Sequence, residues 1–440
     1  MGIYISVAVA AVALFLATWK RFGSFGAACA LCLFTLAAFP RQLTGSNGLP
    51  HPGLSTAEPE LTNFGLLMAV LAVCCLLTEK SRPSFLAFVP LGIYLLVSTS
   101  FLWAGNLEQL AGVQQLLLAV CAWAAGAWLL RDAGTHGRQG RLFSFLLLIL
   151  VLVQLSYAVL QFFGIIGGNI IPNEDGGGLT RVSGSLSNAN NLGKVLVLAT
   201  LLLLPLTLSN NLWTRRASLC GVLLALIPIA LTGGRAVAIG AVLTLLVWAL
   251  MLPGKKSWST KILLPLGVSV VGTLFAASFV ARFQEDPTGG SRSGLTQVAL
   301  EQIAANPLFG IGANSYVSVV GTFDPVTGSG LPVHNSFLLM TAEIGLVGAV
   351  LLFGPLAATL VHAVRHHRRT DYVGDYARAL LASTPAIILI AATGWGMTSG
   401  HVMTFWFFTM GAVAQQLKRP VEQPSQGTLT GPANAALRNY

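Results

Sequence analysis

Thirteen or so apolar stretches follow one another along this chain of 440 residues, most of them long enough to cross a bilayer. They fall near 2–18, 24–40, 62–78, 84–103, 108–130, 142–165, 191–208, 218–232, 235–252, 262–281, 334–362, 379–396 and 401–416. A spanning helix needs about 20 apolar residues. Lipid offers no partner for a free backbone group, so helices are the natural spanning element for such runs. The pattern predicts an all-α polytopic membrane protein of about 12–13 transmembrane helices over residues 1–419. The stretch 420–440 is rich in Pro, Gly, Ser, Gln and Asn and reads as a disordered cytoplasmic tail.

Charge supports the same class. Only 9% of residues are charged, against about 25% in soluble domains. That excludes a soluble enzyme and a nucleic-acid-binding domain, despite the formal charge of +10. The positive charge is a matter of sidedness. Nineteen of the 25 Lys and Arg fall in alternate loops, from Lys20/Arg21 through Arg215/Arg216 to Lys418/Arg419. The positive-inside rule makes those loops cytoplasmic. The N-terminus has no basic segment before its apolar run, so it reads as a first membrane helix and not as a cleaved signal. Cys29-x-x-Cys32 sits within an apolar run, where cysteine is a small apolar residue; neither a disulfide nor zinc is expected there.

The opposite, outer loops are the long ones: 41–61, 167–190 and 282–333. Long loops commonly carry function. The last should contain a short interfacial helix, with Ser291 or Ser293 as N-cap and Leu295, Val298, Ala299 and Ile303 on one face, ending at Asn306-Pro307.

Arginines are scarce on this outer side, and their positions are informative. Arg181 precedes Asn188, Asn190 and Asn191 at the start of one helix, with Asn190 a natural N-cap. Arg235 follows Thr232-Gly233-Gly234 at the start of a second. His334 and Asn335 open a third. All three helices should run inward from the outer face. Their free N–H groups and positive dipole ends would lie beside guanidinium groups, which suits a phosphate. Arg282 and Arg292, on the large loop, could close over it. Lys194, one turn into its helix, either extends this anion site or snorkels outward.

Of the outer histidines, His51, His334 and His401, only His334 combines a helix start with a long Gly/Pro-punctuated loop. A neutral imidazole there could accept a hydroxyl proton; capping is the plainer role. Glu343 lies nine positions further on, on the other side of the helix, and reads as a buried tether to a neighbouring helix. The pairs Glu174-Asp175 and Glu285-Asp286 could hold a divalent cation, but solvated turn residues explain them as well. No metal site and no cofactor is expected.

Three segments resemble the O-antigen ligase and O-antigen polymerase superfamily of bacterial membrane glycosyltransferases. They are Arg181-x-x-Gly184 with Asn188-x-Asn190, then Thr232-Gly-Gly-Arg235, and then Asn306-Pro-Leu-Phe-Gly310-Ile-Gly312 with His334-Asn335-Ser-Phe-Leu338 and Glu343-Ile-Gly345. Gly234 stands where a serine is common. The resemblance covers roughly 140–360. It implies a GT-C-type fold and an inverting, metal-independent transfer. The donor would be a glycan on undecaprenyl diphosphate, handled at the periplasmic face of the bacterial inner membrane. His334 matches the family's catalytic histidine, and the arginines would hold the diphosphate. The substantial outer loop before the His-Asn helix favours a ligase that moves O-antigen onto lipid A–core in lipopolysaccharide biosynthesis. A polymerase acting on a second lipid-linked repeat unit, or a protein O-oligosaccharyltransferase, shares the frame. Outside this class stands a transporter for the lipid-linked glycan, which would favour inverted repeats and broken helices.

Overall fold

The computed structural model describes residues 26–37, 42–44, 61–77, 86–130, 138–167, 169–172, 178–186, 188–252, 258–285 and 292–418, with a few isolated positions. The expected helix at 2–18, the tail at 420–440 and most of the loop 41–61 lie outside the described residues. So do the Glu174-Asp175 pair and Asp286.

The other twelve apolar stretches each correspond to a helix. In chain order these are α1 (Gly26–Ala37), α2 (Asn63–Leu77), α3 (Val89–Val97), α4 (Leu107–Leu130), α5 (Arg138–Phe162), α6 (Ala189–Leu203), α7 (Leu212–Leu231), α8 (Arg235–Met251) and α9 (Trp258–Glu285). The large loop adds α10 (Arg292–Ala305), α11 (Tyr316–Val320) and α12 (Pro325–Gly328). Then come α13 (Ser336–His366), α14 (Tyr372–Ala392) and α15 (Gly400–Leu417). Six described helices are long and apolar enough to cross a membrane, and five shorter ones are apolar. The body is all-α, with two small antiparallel ribbons: β1 (Gln42–Thr44) with β2 (Leu61–Thr62), and β3 (Asn169–Pro172) with β4 (Gly178–Arg181).

Small residues set the packing. Helices α4 and α15 cross in backbone contact, because a Cβ on Gly126 would overlap the Phe408 carbonyl and one on Gly411 the Trp123 carbonyl. Without a hydrophobic drive between helices in lipid, such close van der Waals approach is a main source of association. Gly240 similarly lets α8 lie against Ala386 of α14. Helix α6 is central, with nearly every side chain from Leu192 to Leu203 buried. Leucines and phenylalanines such as Leu250, Leu274 and Phe101 face outward.

Helix α13 is broken. Gly345 sits at φ 66°, ψ 175°, so the ladder stops there and resumes. Residues 307–312 splice the gap. The Leu346 and Val347 amides donate to the Pro307 and Leu308 carbonyls at 2.9 and 3.2 Å. The Ile311 and Gly312 amides donate to the Ala342 and Glu343 carbonyls at 3.1 and 2.9 Å. The Tyr94 hydroxyl donates to the Ile344 carbonyl at 2.6 Å. Gly310 and Gly345 both take positive φ, and a Cβ on either would meet the other segment's backbone. The break is thus filled by protein, as lipid depth demands. It fixes the loop that leads to His334.

Two expectations change here. Helix α9 runs to Glu285, so the backbone of Arg282 belongs to its last turn and not to the loop; its side chain lies outside the described residues. Helix α10 begins at Arg292, so Ser293 lies inside the helix; Ser291, the other expected cap, lies outside the described residues. Leu295 and Ala299 are buried on the predicted face, together with Gln302.

Candidate functional site

The helices α6, α8 and α13 begin around one cavity of about 410 Å³. Its lining includes Asn188, Asn190, Asn191 and Lys194 from the first, Gly234 and Arg235 from the second, and His334 just before the third. Arg292, at the start of α10, reaches the same space. The fourth wall is Thr393, Gly394, Trp395 and Gly396, the connection from α14 to α15, with Leu389 and Ile390 below it.

Each helix start is built differently. Asn188, in extended conformation, caps α6 by accepting from the Asn190 and Asn191 amides at 2.9 and 3.3 Å. The expectation that Asn190 is the cap is therefore corrected. The helix begins two residues earlier, and Asn190 falls in its first turn with its side chain free for another task. Asn335 caps α13 by accepting from the Phe337 and Leu338 amides at 2.9 and 3.1 Å. Such a cap is worth about 1 kcal/mol. Helix α8 has Gly234 as its N-cap and so no side chain to close its first turn. First-turn N–H groups left open in this way favour an anion.

The hairpin of β3 and β4 ends at Arg181 and delivers it to the edge of the site. Its Nε donates to the Thr232 carbonyl and its Nη2 to Asn190 Oδ1, both at 2.7 Å. Arg181 is not among the cavity's lining residues; it joins the α7–α8 turn to the first turn of α6. Two glutamines on α5 hold the turn behind it. Gln161 Oε1 accepts from the Ser183 and Gly184 amides, each at 2.9 Å, and Gln154 Oε1 from the Ser185 amide at 3.0 Å.

Glu343 does not join the cavity. It is buried, and its Oε1 accepts from the Tyr316 amide at 3.4 Å. That bond ties Glu343 to the first residue of the short helix α11. The splice at Gly345 brings that segment alongside.

Electrostatics distinguish this cavity. Lys194, Arg235 and Arg292 line it, and among the described residues no carboxylate does. Low-dielectric walls with one sign of charge focus the field on an anion. His334 is half-buried, and its Nδ1 has no hydrogen-bond partner among the described residues. Burial first, and then the positive charge of Arg292, hold its pKa below the usual histidine value, while the Pro332 carbonyl acts the other way. At neutral pH the imidazole is neutral and able to accept a proton.

The connection Thr393–Gly396 was not foreseen as part of the site. Ser336 Oγ donates to the Gly394 carbonyl at 2.7 Å, which ties it to the start of α13. Its available signal was Gly394-Trp395-Gly396, two glycines in a short inter-helix turn, a mark of close backbone approach. His401 stands behind Asn191, with ring Nε2 3.5 Å from Asn191 Nδ2.

Residues 220–353 match the O-antigen ligase family model. The match spans α7 through the first part of α13, including Arg235, Arg292, His334 and the spliced break. The similarity to that family covers this segment, under a third of the chain. A search of curated proteins finds no significant match.

Proposed function

With an O-antigen ligase domain over residues 220–353 as the premise, we propose that this protein transfers a glycan from undecaprenyl diphosphate to lipid A–core. The reaction would occur at the periplasmic face of the bacterial inner membrane, with inversion and without a metal ion. The observation that carries this reading is the cavity in which Lys194, Arg235, Arg292 and the half-buried imidazole of His334 meet with no carboxylate beside them.

The chemistry follows from that arrangement. The sugar's bond to the diphosphate breaks as the acceptor hydroxyl attacks the anomeric carbon from the opposite side. Negative charge grows on the departing diphosphate. Preorganised cations and open helix amides stabilise growing charge strongly in a site shielded from water. Arg235, at the uncapped start of α8, and Lys194, one turn into α6, supply such charge. His334 takes the hydroxyl proton as the new carbon–oxygen bond forms. General-base help of this kind is worth about 10²–10⁴-fold. Arg181 and Arg282 complete the basic set proposed to engage the diphosphate, Arg181 through Asn190. Asn188, Asn191 and Asn335 shape the helix starts, and Glu343 holds the loop. Apolar Ile239, Leu389 and Ile390 on the cavity wall suit the first isoprene units of the lipid.

The broken α13 does not by itself favour a transporter: its interruption is spliced by residues 307–312, whose backbone groups pair with those at the gap.

The test is purified protein in lipid nanodiscs, given undecaprenyl-diphosphate glycan and lipid A–core separately and together. Glycosylated lipid A–core should form only with both present and should form equally in EDTA. Chain extension with donor alone would indicate a polymerase. Lipid translocation without transfer would overturn the reading.

A further inference from the structure

Lys194 is a cation where charge is costly. It lies one turn into the most buried helix, is only 6% exposed, and lines the cavity. Among the described residues it has no carboxylate and no hydrogen-bond partner. A buried ammonium is normally paired, or else it reaches out to water. This one has no acid beside it among the described residues and opens onto a space already rich in positive charge.

Its ammonium lies close against the opposite wall, at Gly396. A Cβ on Gly396 would overlap the Lys194 ammonium and come within 3.3 Å of its Cε and of Asn191 Oδ1. The Gly396 backbone has little freedom to retreat. Its carbonyl accepts from Ser399 Oγ at 2.9 Å, and it lies in the short 3-10 turn Trp395–Met397. Next to it, the Gly394 carbonyl is held by Ser336.

We propose that Lys194 binds the donor's diphosphate directly and that Gly396 is the positioning residue that leaves room for its ammonium in the cavity. The inference builds on the donor reading above. It narrows the part of Lys194 from shared positive charge to direct contact, and it adds a backbone position 202 residues away in sequence that leaves the ammonium its room.

The two parts are separable by thermal unfolding and binding in phosphatidylcholine nanodiscs. The arms are no addition, undecaprenyl diphosphate, inorganic pyrophosphate and phosphatidylglycerol. Lys194→Met removes an unpaired buried charge at similar volume. It should raise the midpoint without ligand by about 2 °C or more, while undecaprenyl diphosphate affinity falls roughly tenfold or more. Gly396→Ala should weaken that affinity to a similar degree. In the Lys194→Met background it should add no further loss, since it acts through Lys194.

A lower unliganded midpoint with unchanged affinity in Lys194→Met would make the lysine structural and overturn the inference alone. So would a loss of phosphatidylglycerol binding in Lys194→Met with undecaprenyl diphosphate binding unchanged. If the unaltered protein does not bind undecaprenyl diphosphate, the donor reading fails and this inference with it.

Discussion

Arg181 donates from Nη2 to Asn190 Oδ1 and from Nε to the Thr232 carbonyl, each at 2.7 Å. One guanidinium thus joins the first turn of α6 to the C-terminal end of α7, just ahead of α8. The planar fork matters as much as the charge, because a lysine ammonium cannot reach both acceptors in fixed geometry.

Arg181→Lys should therefore behave almost as Arg181→Ala. Each should lower the unfolding midpoint, in line with a loss of about 1–3 kcal/mol, and reduce transfer at saturating donor as well as donor affinity. Thermal unfolding beside steady-state transfer checks this. Full activity in the lysine variant would show that charge alone suffices.

His334→Gln should reduce transfer by about 10²–10⁴-fold and leave undecaprenyl diphosphate affinity unchanged. The pH profile carries the sign. The active form is the neutral imidazole, and burial with Arg292 lowers its pKa. Activity in kcat/KM should therefore persist below the ordinary histidine value of about 6.5 and fall only as pH drops through the lowered pKa. An acid limb above that value would refute the assignment.

Arg292 lines the cavity from an exposed helix start and lowers the His334 pKa. Arg292→Ala should move the acid limb to higher pH, toward the ordinary value, while Arg292→Lys should leave it near that of the unaltered protein. A limb that does not move would remove Arg292 from the imidazole's surroundings.

The spliced break in α13 should be a point of stability. Tyr94→Phe deprives the Ile344 carbonyl of its 2.6 Å donor, a cost of about 1–3 kcal/mol. Gly345→Ala should cost more, about 4 kcal/mol or beyond. The residue combines φ 66° with a Cβ that would overlap the Leu308 carbonyl. Unfolding midpoints in detergent rank the two, and a harmless Gly345→Ala would contradict the splice.

The amino-acid sequence by itself determined the helices, since an apolar run in lipid must satisfy its backbone internally. It also singled out the residues proposed to carry the chemistry. In a chain this poor in charge, Arg235, Arg292, Lys194 and His334 stand out near helix starts on one side of a strict alternation. Asn335 is legible as a cap because the carboxamide serves the residues just after it. The start of α6 was read two residues late, since Asn188 and Asn190 suit a cap equally and only the backbone chooses.

Tertiary structure decided what depends on contacts far apart in sequence. That three helix starts and Thr393–Gly396 enclose one cavity follows from how α6, α8, α13 and α14 pack. Arg181's donors meet Asn190 and Thr232 only after α7 and α8 are in place. Glu343 and Gly345 reveal their part only when residues 307–316 lie against them. Hydropathy and capping act within a few residues of the chain, whereas these partners are chosen by shape and unsatisfied hydrogen bonds across the bundle.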